Sequence, residues 1–151
     1  MPRPTKQEIY YGSERTAFDT IVVSGKKSAM PHGMPDGKII QNGDPVTIDF
    51  GAVYNGYCSD MTRTFFVGKP CDEMVEIYNT VLKAQQAAID GFRANMKCLE
   101  LDRLARDYIS SKGYGKYFGH SLGHGVGIEI HEAPAVSSRN DSVIMDGMVF
   151  S

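Results

Sequence analysis

The early part of the chain has the residue pattern of antiparallel strands. Residues 18–24, 45–50 and 57–67 are rich in Val, Ile, Thr, Phe and Tyr, which strands favour. Asn55 and Gly56 lie between the last two runs, and Asn-Gly in that position is the strongest short hairpin signal. These residues therefore predict a β-hairpin with a two-residue loop.

The middle of the chain changes to a helical period. Over residues 72–93, apolar side chains recur every three or four positions, which predicts an amphipathic helix with Asp72 as its N-cap. A second helix is predicted over residues 99–110, with Gly113 as its stop. After a glycine-rich tract, residues 126–130 alternate as a strand does. The final run VIMDGMVFS indicates a turn that enters another strand.

This order of elements indicates an α+β fold with a mostly antiparallel sheet and helices on one face. The chain has 151 residues, the size of one domain, and no repeat or linker divides it. We therefore predict a single domain over residues 1–151. Its residues 1–15, which include two prolines, are predicted to be a loosely structured lead-in.

Composition argues against several classes of partner and location. A formal net charge of −2 gives no electrostatic reason to expect nucleic acid or an anionic membrane surface. No apolar run approaches the roughly 20 residues needed to cross a bilayer, and the N-terminus lacks a signal-peptide core. Cys58, Cys71 and Cys98 form no CxxC pair, so a reduced, cytoplasmic protein is the simplest interpretation.

Two aspartates, Asp49 and Asp60, flank the predicted hairpin turn. With a two-residue loop, Asp49 lies opposite Thr62 and Asp60 opposite Gly51. All four positions then share one face, because strand side chains alternate. The aspartates become diagonal neighbours with backbones roughly 7–8 Å apart, and Gly51 leaves the space between them empty. Such a pair suits one divalent cation or two ions about 3.5–4 Å apart. The alternative is a pair of ordinary solvated acids beside a turn.

All four histidines lie in two stretches with the composition of loops. His32 lies in SAMPHGMPDG, and His120, His124 and His131 lie in FGHSLGHGVGIEIHEAP. The spacing of His120 and His124 matches a helical zinc pair, but no Glu follows the first histidine and the glycines disfavour a helix. Glycines here instead let the backbone approach a site closely. Carboxylates with imidazole suit Mn, Fe, Co or Zn, and the remaining imidazoles suit proton transfer or oxyanion stabilisation.

These motifs resemble one family of enzymes. IDFGAVYNGYCSDMTRTFFVG and GHSLGHGVGIEIHEAP are similar, almost residue for residue, to the Xaa-Pro aminopeptidase and Xaa-Pro dipeptidase branch of the pita-bread metallopeptidases. The similarity covers roughly residues 16–150. It implies the pita-bread fold, an α+β domain, and removal of an N-terminal residue that precedes proline. The implied partner is a peptide substrate with proline in second position.

The same resemblance implies a dinuclear metal site. Two divalent ions, with Mn²⁺ as the first candidate and Co²⁺, Zn²⁺ or Fe²⁺ as alternatives, would be bridged by two aspartates and bound by one histidine. The other three histidines would line the substrate pocket, where they help to bind the scissile carbonyl or move protons. These positions map onto metal ligands Asp49, Asp60 and His124, and onto pocket residues His32, His120 and His131.

The chain departs from the family pattern in its glutamates. Two further ligands in the family are glutamates on strands C-terminal to the histidine motif, and Glu129 and Glu132 match neither position. We therefore expect an incomplete metal site and an inactive or weakly active chain. Strands that are missing would also expose a sheet edge, and such an edge invites pairing with another chain. We therefore expect a homo-oligomer or other self-association.

Other functions within the same fold remain open. Methionine aminopeptidases share the fold and the metal ligands, but they usually lack the histidine that His120 represents, and their hairpin has a different sequence. A non-catalytic pita-bread module that binds peptides is another alternative, although such modules usually lose the aspartate and histidine ligands. The creatinase-like branch uses the fold without metal, and the retained aspartates argue against it.

Overall fold

The computed structural model describes residues 11–30 and 33–151. Its contacts divide the chain into two compact units. The first unit runs up to Met74 and includes Gly127–Ile130, and the second comprises Val75–Val126 and His131–Ser151. Within the described residues, no helix combines the length and the apolar character needed to cross a membrane.

The first unit is built from three chain segments that pair side by side. Each segment is interrupted once, so that it contributes one strand to each of two three-stranded antiparallel sheets. One sheet has the order β1-β4-β5 and the other the order β2-β3-β6. The strands are β1 (Arg15–Thr16), β2 (Ile21–Ser24), β3 (Pro45–Phe50), β4 (Ala52–Tyr54), β5 (Tyr57–Cys58) and β6 (Met61–Phe66).

The predicted hairpin and its register are confirmed. Tyr54 pairs with Tyr57, so the loop contains only Asn55 and Gly56. Both loop residues have positive φ, 49° and 79° respectively, which is the requirement of the type I′ turn that Asn-Gly favours. On the far side of the interruption, Asp49 is paired with Thr62 as predicted.

The interruption between the two sheets lies at Gly51. A Cβ at this position would lie 2.1 Å from the carbonyl oxygen of Ser59 and 2.8 Å from the ring of Phe18. The prediction that Gly51 leaves an empty space is therefore wrong on the side where its Cβ would lie, because a backbone and an aromatic ring fill that side. Glycine is needed here for the close approach of two segments.

The start of the chain is more ordered than predicted where the structure describes it. Arg15 pairs with Val53, and the amide of Glu14 donates to the Val53 carbonyl at 2.9 Å. The lead-in predicted for residues 1–15 therefore does not extend to its last two residues, while residues 1–10 lie outside the described part. The strand predicted over residues 18–24 begins only at Ile21, and Gly25–Ala29 forms a 3-10 turn.

The second unit contains most of helix α1 (Asp72–Gly91), helix α2 (Cys98–Ser111) and the antiparallel pair β7 (Gly123–Gly125) and β8 (Glu132–Val136). Asp72 lies in the first turn of α1, where its charge complements the helix dipole, rather than at the N-cap. The strand predicted over residues 126–130 is wrong, since the two strands lie on either side of it. The predicted final strand is reduced to one bridge between Phe150 and Gly125.

The core of the second unit forms where the two helices meet the C-terminal segment. Its fully buried members come from α1, α2, β8 and the residues beyond, and they are Ala84, Ala88, Cys98, Leu101, Ala105, Ile109, Val136 and Ile144. The second helix predicted from the sequence is thus confirmed, and its buried residues lie on one face. On α1 only the small residues of the predicted stripe are buried, while Val81 and Ile89 are 55% and 61% exposed.

Both ends of α2 are closed by identifiable contacts. At its start the amides of Cys98 and Leu99 donate to the carbonyls of Ser142 and Asn140, at 2.9 and 2.8 Å. At its end Gly113 has φ 85°, and the Tyr114 amide donates to the Ile109 carbonyl as in a Schellman motif. The predicted glycine stop is confirmed, and α2 is held at a fixed position against the C-terminal segment.

We expect Gly51→Ala to destabilise the protein by about 1–3 kcal/mol, the usual cost of overpacking a filled site. Gly37→Ala is the matched control, because no atom lies within 4 Å of its added Cβ. Urea unfolding followed by circular dichroism measures both variants. Equal unfolding midpoints for the two variants would contradict the close approach at Gly51.

Candidate functional site

Asp49 lies on the central strand of its sheet. It pairs with Ile21 of β2 on one side and with Thr62 of β6 on the other. The Thr62 hydroxyl donates to the Asp49 Oδ1 atom at 2.9 Å, so the half-buried carboxylate has a defined orientation. Asp60 is also half-buried and lies just before β6, in the interruption opposite Gly51. The hairpin therefore carries both predicted carboxylates within the first unit.

His124 is held by backbone pairing on both edges of β7. On one edge it pairs with Ala135 of β8. On the other edge its amide donates to the Ser151 carbonyl at 3.3 Å, and the Ser151 amide donates back to the His124 carbonyl at 2.9 Å. The backbone of this predicted ligand is thus fixed by two neighbouring segments.

The glycines beside His124 make this double pairing possible. A Cβ on Gly123 would lie 1.8 Å from the Ser151 carbonyl oxygen, and one on Gly125 would lie 2.4 Å from the Ala133 carbonyl oxygen. The close approach at these glycines is to the protein's own backbone, and the approach to a site that the sequence predicts stays a prediction. Larger residues would push the flanking segments away from the histidine.

The imidazole of His124 has a defined tautomer. Its Nδ1 atom lies 3.0 Å from the Gly125 carbonyl oxygen, and because a carbonyl only accepts, Nδ1 must carry the hydrogen. The lone pair of the neutral ring is therefore on Nε2, which lies 3.5 Å from the Ser151 hydroxyl. The ring of His131 is 4.2 Å away between centroids, so the structure brings these two histidines together.

His120 occupies the irregular segment between the 3-10 turn Gly115–Tyr117 and β7. Its side chain is exposed, and its Nδ1 atom lies 2.7 Å from the Ser121 carbonyl oxygen, so it has the same tautomer as His124. The ring packs edge-on against Phe118 at 4.8 Å between centroids. His32, the remaining predicted pocket residue, lies outside the described residues.

Sequence reasoning missed the ion pair between Asp102 and Arg106. Asp102 is completely buried on the apolar face of α2, and Arg106 binds its carboxylate through two nitrogens, at 2.6 and 2.9 Å. The hydrogen bond to Asp102 raises the pKa of Arg106 above its usual value. An acid and a base four residues apart on an otherwise apolar helix face is the signal that would have revealed this pair.

The predicted metal ligands divide between the two units, with Asp49 and Asp60 in the first and His124 in the second. No group of three or more His, Cys, Asp or Glu side chains that could hold a metal ion occurs within residues 11–30 and 33–151. Taken singly, the donors fit a divalent ion. An imidazole whose Nδ1–H is held by a carbonyl, and a carboxylate held by a hydroxyl, are usual features of metal ligands. Their assembly into one site remains a prediction.

Comparisons of sequence and of structure both give relatives that are named as Xaa-Pro peptidases. The chain is 51% identical over 140 residues to a Xaa-Pro dipeptidase of Pyrococcus furiosus, covering 93% of this chain and 40% of that protein. A solved Xaa-Pro dipeptidase from Bacillus anthracis superposes with a TM-score of 0.91 and 54% identity, over 94% of this chain and 40% of that one. An X-Pro aminopeptidase from Thermotoga maritima gives 0.89 and 46%, over 99% and 45%.

These similarities confirm the predicted α+β pita-bread fold and the predicted family resemblance. The chain spans about 40% of the length of the curated relatives that it matches. The family profile described as Metallopeptidase family M24 matches residues 5–151, nearly the whole chain. The chain therefore belongs to metallopeptidase family M24.

Proposed function

We propose that the protein contributes to metal-dependent hydrolysis of the peptide bond between an N-terminal residue and proline. The observation that supports this most strongly is the state of His124. Its backbone is paired on both sides, and its Nδ1–H is bound to a carbonyl, so Nε2 carries the lone pair that a metal requires. The relatives named Xaa-Pro dipeptidase supply the substrate class.

In this proposal Asp49, Asp60 and His124 hold the metal ions. When bound, divalent ions supply Lewis acidity toward a carbonyl and toward water. Thr62 keeps the Asp49 carboxylate oriented, and Gly125 keeps His124 in its ligating tautomer. Two carboxylates with imidazole suit Mn²⁺, Fe²⁺, Co²⁺ or Zn²⁺. The 151-residue chain is proposed to bind these ions weakly, because Glu129 and Glu132 match neither of the two glutamate ligands expected by resemblance.

The exposed histidines are proposed to bind the substrate and to transfer protons. The amide before proline has no N–H, so the site cannot recognise that bond through an amide hydrogen. When the bond is cleaved, the proline nitrogen leaves and must receive a proton, and a general acid supplies that proton. His120 and His131 are exposed, and the lone pair of His120 is on Nε2, so this atom can take up a proton and deliver it. His32 is proposed to line the same pocket.

The location of the protein is proposed from its cysteines. Cys58, Cys71 and Cys98 are all free thiols, in intermediate, exposed and buried positions respectively. Burial raises the pKa of the Cys98 thiol, which keeps it protonated and unreactive. A chain with three unpaired cysteines suits a reducing compartment, and we propose the cytoplasm. Self-association remains a prediction.

The tautomers of His120 and His124 are open to direct measurement. When both imidazoles are neutral, we expect each ring to carry its hydrogen on Nδ1, because each Nδ1 faces a carbonyl oxygen. Long-range ¹H–¹⁵N correlation spectra of the metal-free chain report this state for each ring. An Nε2–H form of His124 would contradict the orientation proposed for a metal ligand.

Metal binding by the 151-residue chain tests the ligand assignment. We expect calorimetric titration with Mn²⁺ to show weak binding that Asp49→Asn and His124→Ala each abolish. Asp19→Asn, which changes an exposed acid of the first unit, should leave the binding unchanged. Tight binding of two ions together with turnover of an Xaa-Pro dipeptide would overturn the incomplete site. Binding that neither ligand variant alters would overturn the assignment.

The reaction itself is best tested in the natural gene product that contains these residues. We expect Mn²⁺-dependent release of proline from Leu-Pro and no comparable cleavage of Leu-Ala. Asp49→Asn should lower kcat/KM at least about 100-fold, since even the outer partners of metal ligands are worth about 10–100-fold. Equal cleavage of the two dipeptides, or cleavage unaffected by a chelator, would contradict the proposed function.

A further inference from the structure

The guanidinium of Arg106 binds two groups at once. Toward α2, its Nε and Nη2 atoms donate to the two oxygens of Asp102 at 2.6 and 2.9 Å. Away from the helix, its Nη1 atom donates to the Phe118 carbonyl at 2.8 Å, and Nη2 donates to the His120 carbonyl at 2.7 Å. All four residues belong to the second unit. One side chain therefore links the helix to the segment that carries His120.

Asp102 binds the same segment a second time. Its Oδ1 atom accepts a hydrogen bond from the Leu122 amide at 3.1 Å, in addition to its bond from Arg106. The ion pair thus contacts the backbone of Phe118, His120 and Leu122, which are alternate residues of one short stretch. Gly123, the first residue of β7, follows immediately.

Residues 118–122 form neither helix nor strand. The segment contains Gly119, around which the position of a Cβ has no atom within 4 Å, so local packing does not restrict it there. A glycine without such restriction has more backbone freedom than any other residue. The hydrogen bonds from Arg106 and to Asp102 therefore supply the order that regular secondary structure supplies elsewhere.

The guanidinium of Arg106 also contacts the imidazole of His120 indirectly, through the ring of Phe118. It lies over the face of Phe118 at 4.3 Å from the ring centroid, and the ring of His120 packs edge-on against Phe118. Arg106 thus determines both the backbone position of His120, through its carbonyl, and the surface on which its ring rests. Lysine could not replace this pattern, because an ammonium is a point charge without the planar fork of donors.

We propose that Asp102 and Arg106 are positioning residues that place His120 and the start of β7 for the reaction. The role in hydrolysis rests on the proposed function, whereas the positioning itself does not. A purely stabilising role explains the arrangement less well, since a buried ion pair is often no more stabilising than apolar residues of the same volume. What apolar residues could not supply is the set of hydrogen bonds to residues 118, 120 and 122.

Two kinds of variant separate positioning from stability. Arg106→Lys keeps the positive charge beside Asp102 but removes the fork that reaches the two carbonyls. The double variant Asp102→Leu with Arg106→Met removes both charges, so that neither is left buried alone. Arg103→Lys is the matched control, because Arg103 is an exposed arginine on the same helix.

Hydrogen exchange and NMR of the metal-free chain report on positioning without any assay of activity. We expect the Leu122 amide to exchange at least about tenfold faster in both variants, because its hydrogen bond to the charged Asp102 carboxylate is weakened or lost. The ring protons of His120, shifted in the parent by the Phe118 ring, should move toward their values in a free peptide. Exchange in α2 and β8 should stay unchanged, and buried Cys98 should stay protected from alkylation.

Other outcomes overturn the proposal. Unchanged exchange and unchanged His120 signals in the variants would show that the pair does not order the segment. A uniform increase in exchange across the second unit, with Cys98 becoming reactive, would show a stabilising role only. If Arg106→Lys alone failed to fold, the double variant would decide between these outcomes.

Metal binding then connects positioning to function. We expect Arg106→Lys to weaken Mn²⁺ binding by the chain, because the segment that the ion pair holds leads directly into β7 and His124, while Arg103→Lys leaves it unchanged. An unchanged Mn²⁺ affinity in Arg106→Lys beside altered exchange would overturn the link to the metal site. A parent chain that bound no Mn²⁺ would count against the proposed function instead, and the exchange result would stand on its own.

Discussion

A fully buried carboxylate imposes the strongest constraint on the second unit. Asp102 lies on the face of α2 that packs into the core, where an ionised group is unfavourable unless its oxygens are bound. Arg106 and the Leu122 amide provide that compensation. The donors of Arg106 that remain must in turn find acceptors, and they find them in the carbonyls of Phe118 and His120. The same hydrogen bonds therefore compensate the buried charge and order the segment that contains His120.

The parts of the fold that depend on neighbouring residues could be predicted from sequence. Asn55-Gly56 selects a type I′ turn, and the turn then determines the register that sets Asp49 opposite Thr62. Gly113 ends α2 because only glycine takes a left-handed conformation easily. In each case one or two residues carry the whole signal, and no distant segment has to be known. The family motifs added the candidate ligands, including His124.

The sequence predictions that were wrong concern features that depend on distant segments of the chain. Alternation over residues 126–130 indicated a strand, yet the strand lies at Gly123–Gly125, because its partners are β8 and the segment around Phe150. Gly51 indicated an empty space between the aspartates, yet Ser59 and Phe18 fill the side where its Cβ would lie. The period of the apolar residues on α2 does not reveal Asp102, because a buried ion pair interrupts such a stripe without shifting its period.

His120 and His124 share a tautomer but are anchored in different ways, and the difference suits the roles proposed for them. A metal ligand must keep its position whether or not the ion is bound, and His124 lies in a strand that is paired on both edges. A residue that moves a proton must meet solvent and substrate, and the ring of His120 is exposed. An exposed ring on an irregular segment would ordinarily sample many positions. The bonds from Arg106 resolve that conflict, because they hold the backbone of His120 through its carbonyl while the residue stays exposed.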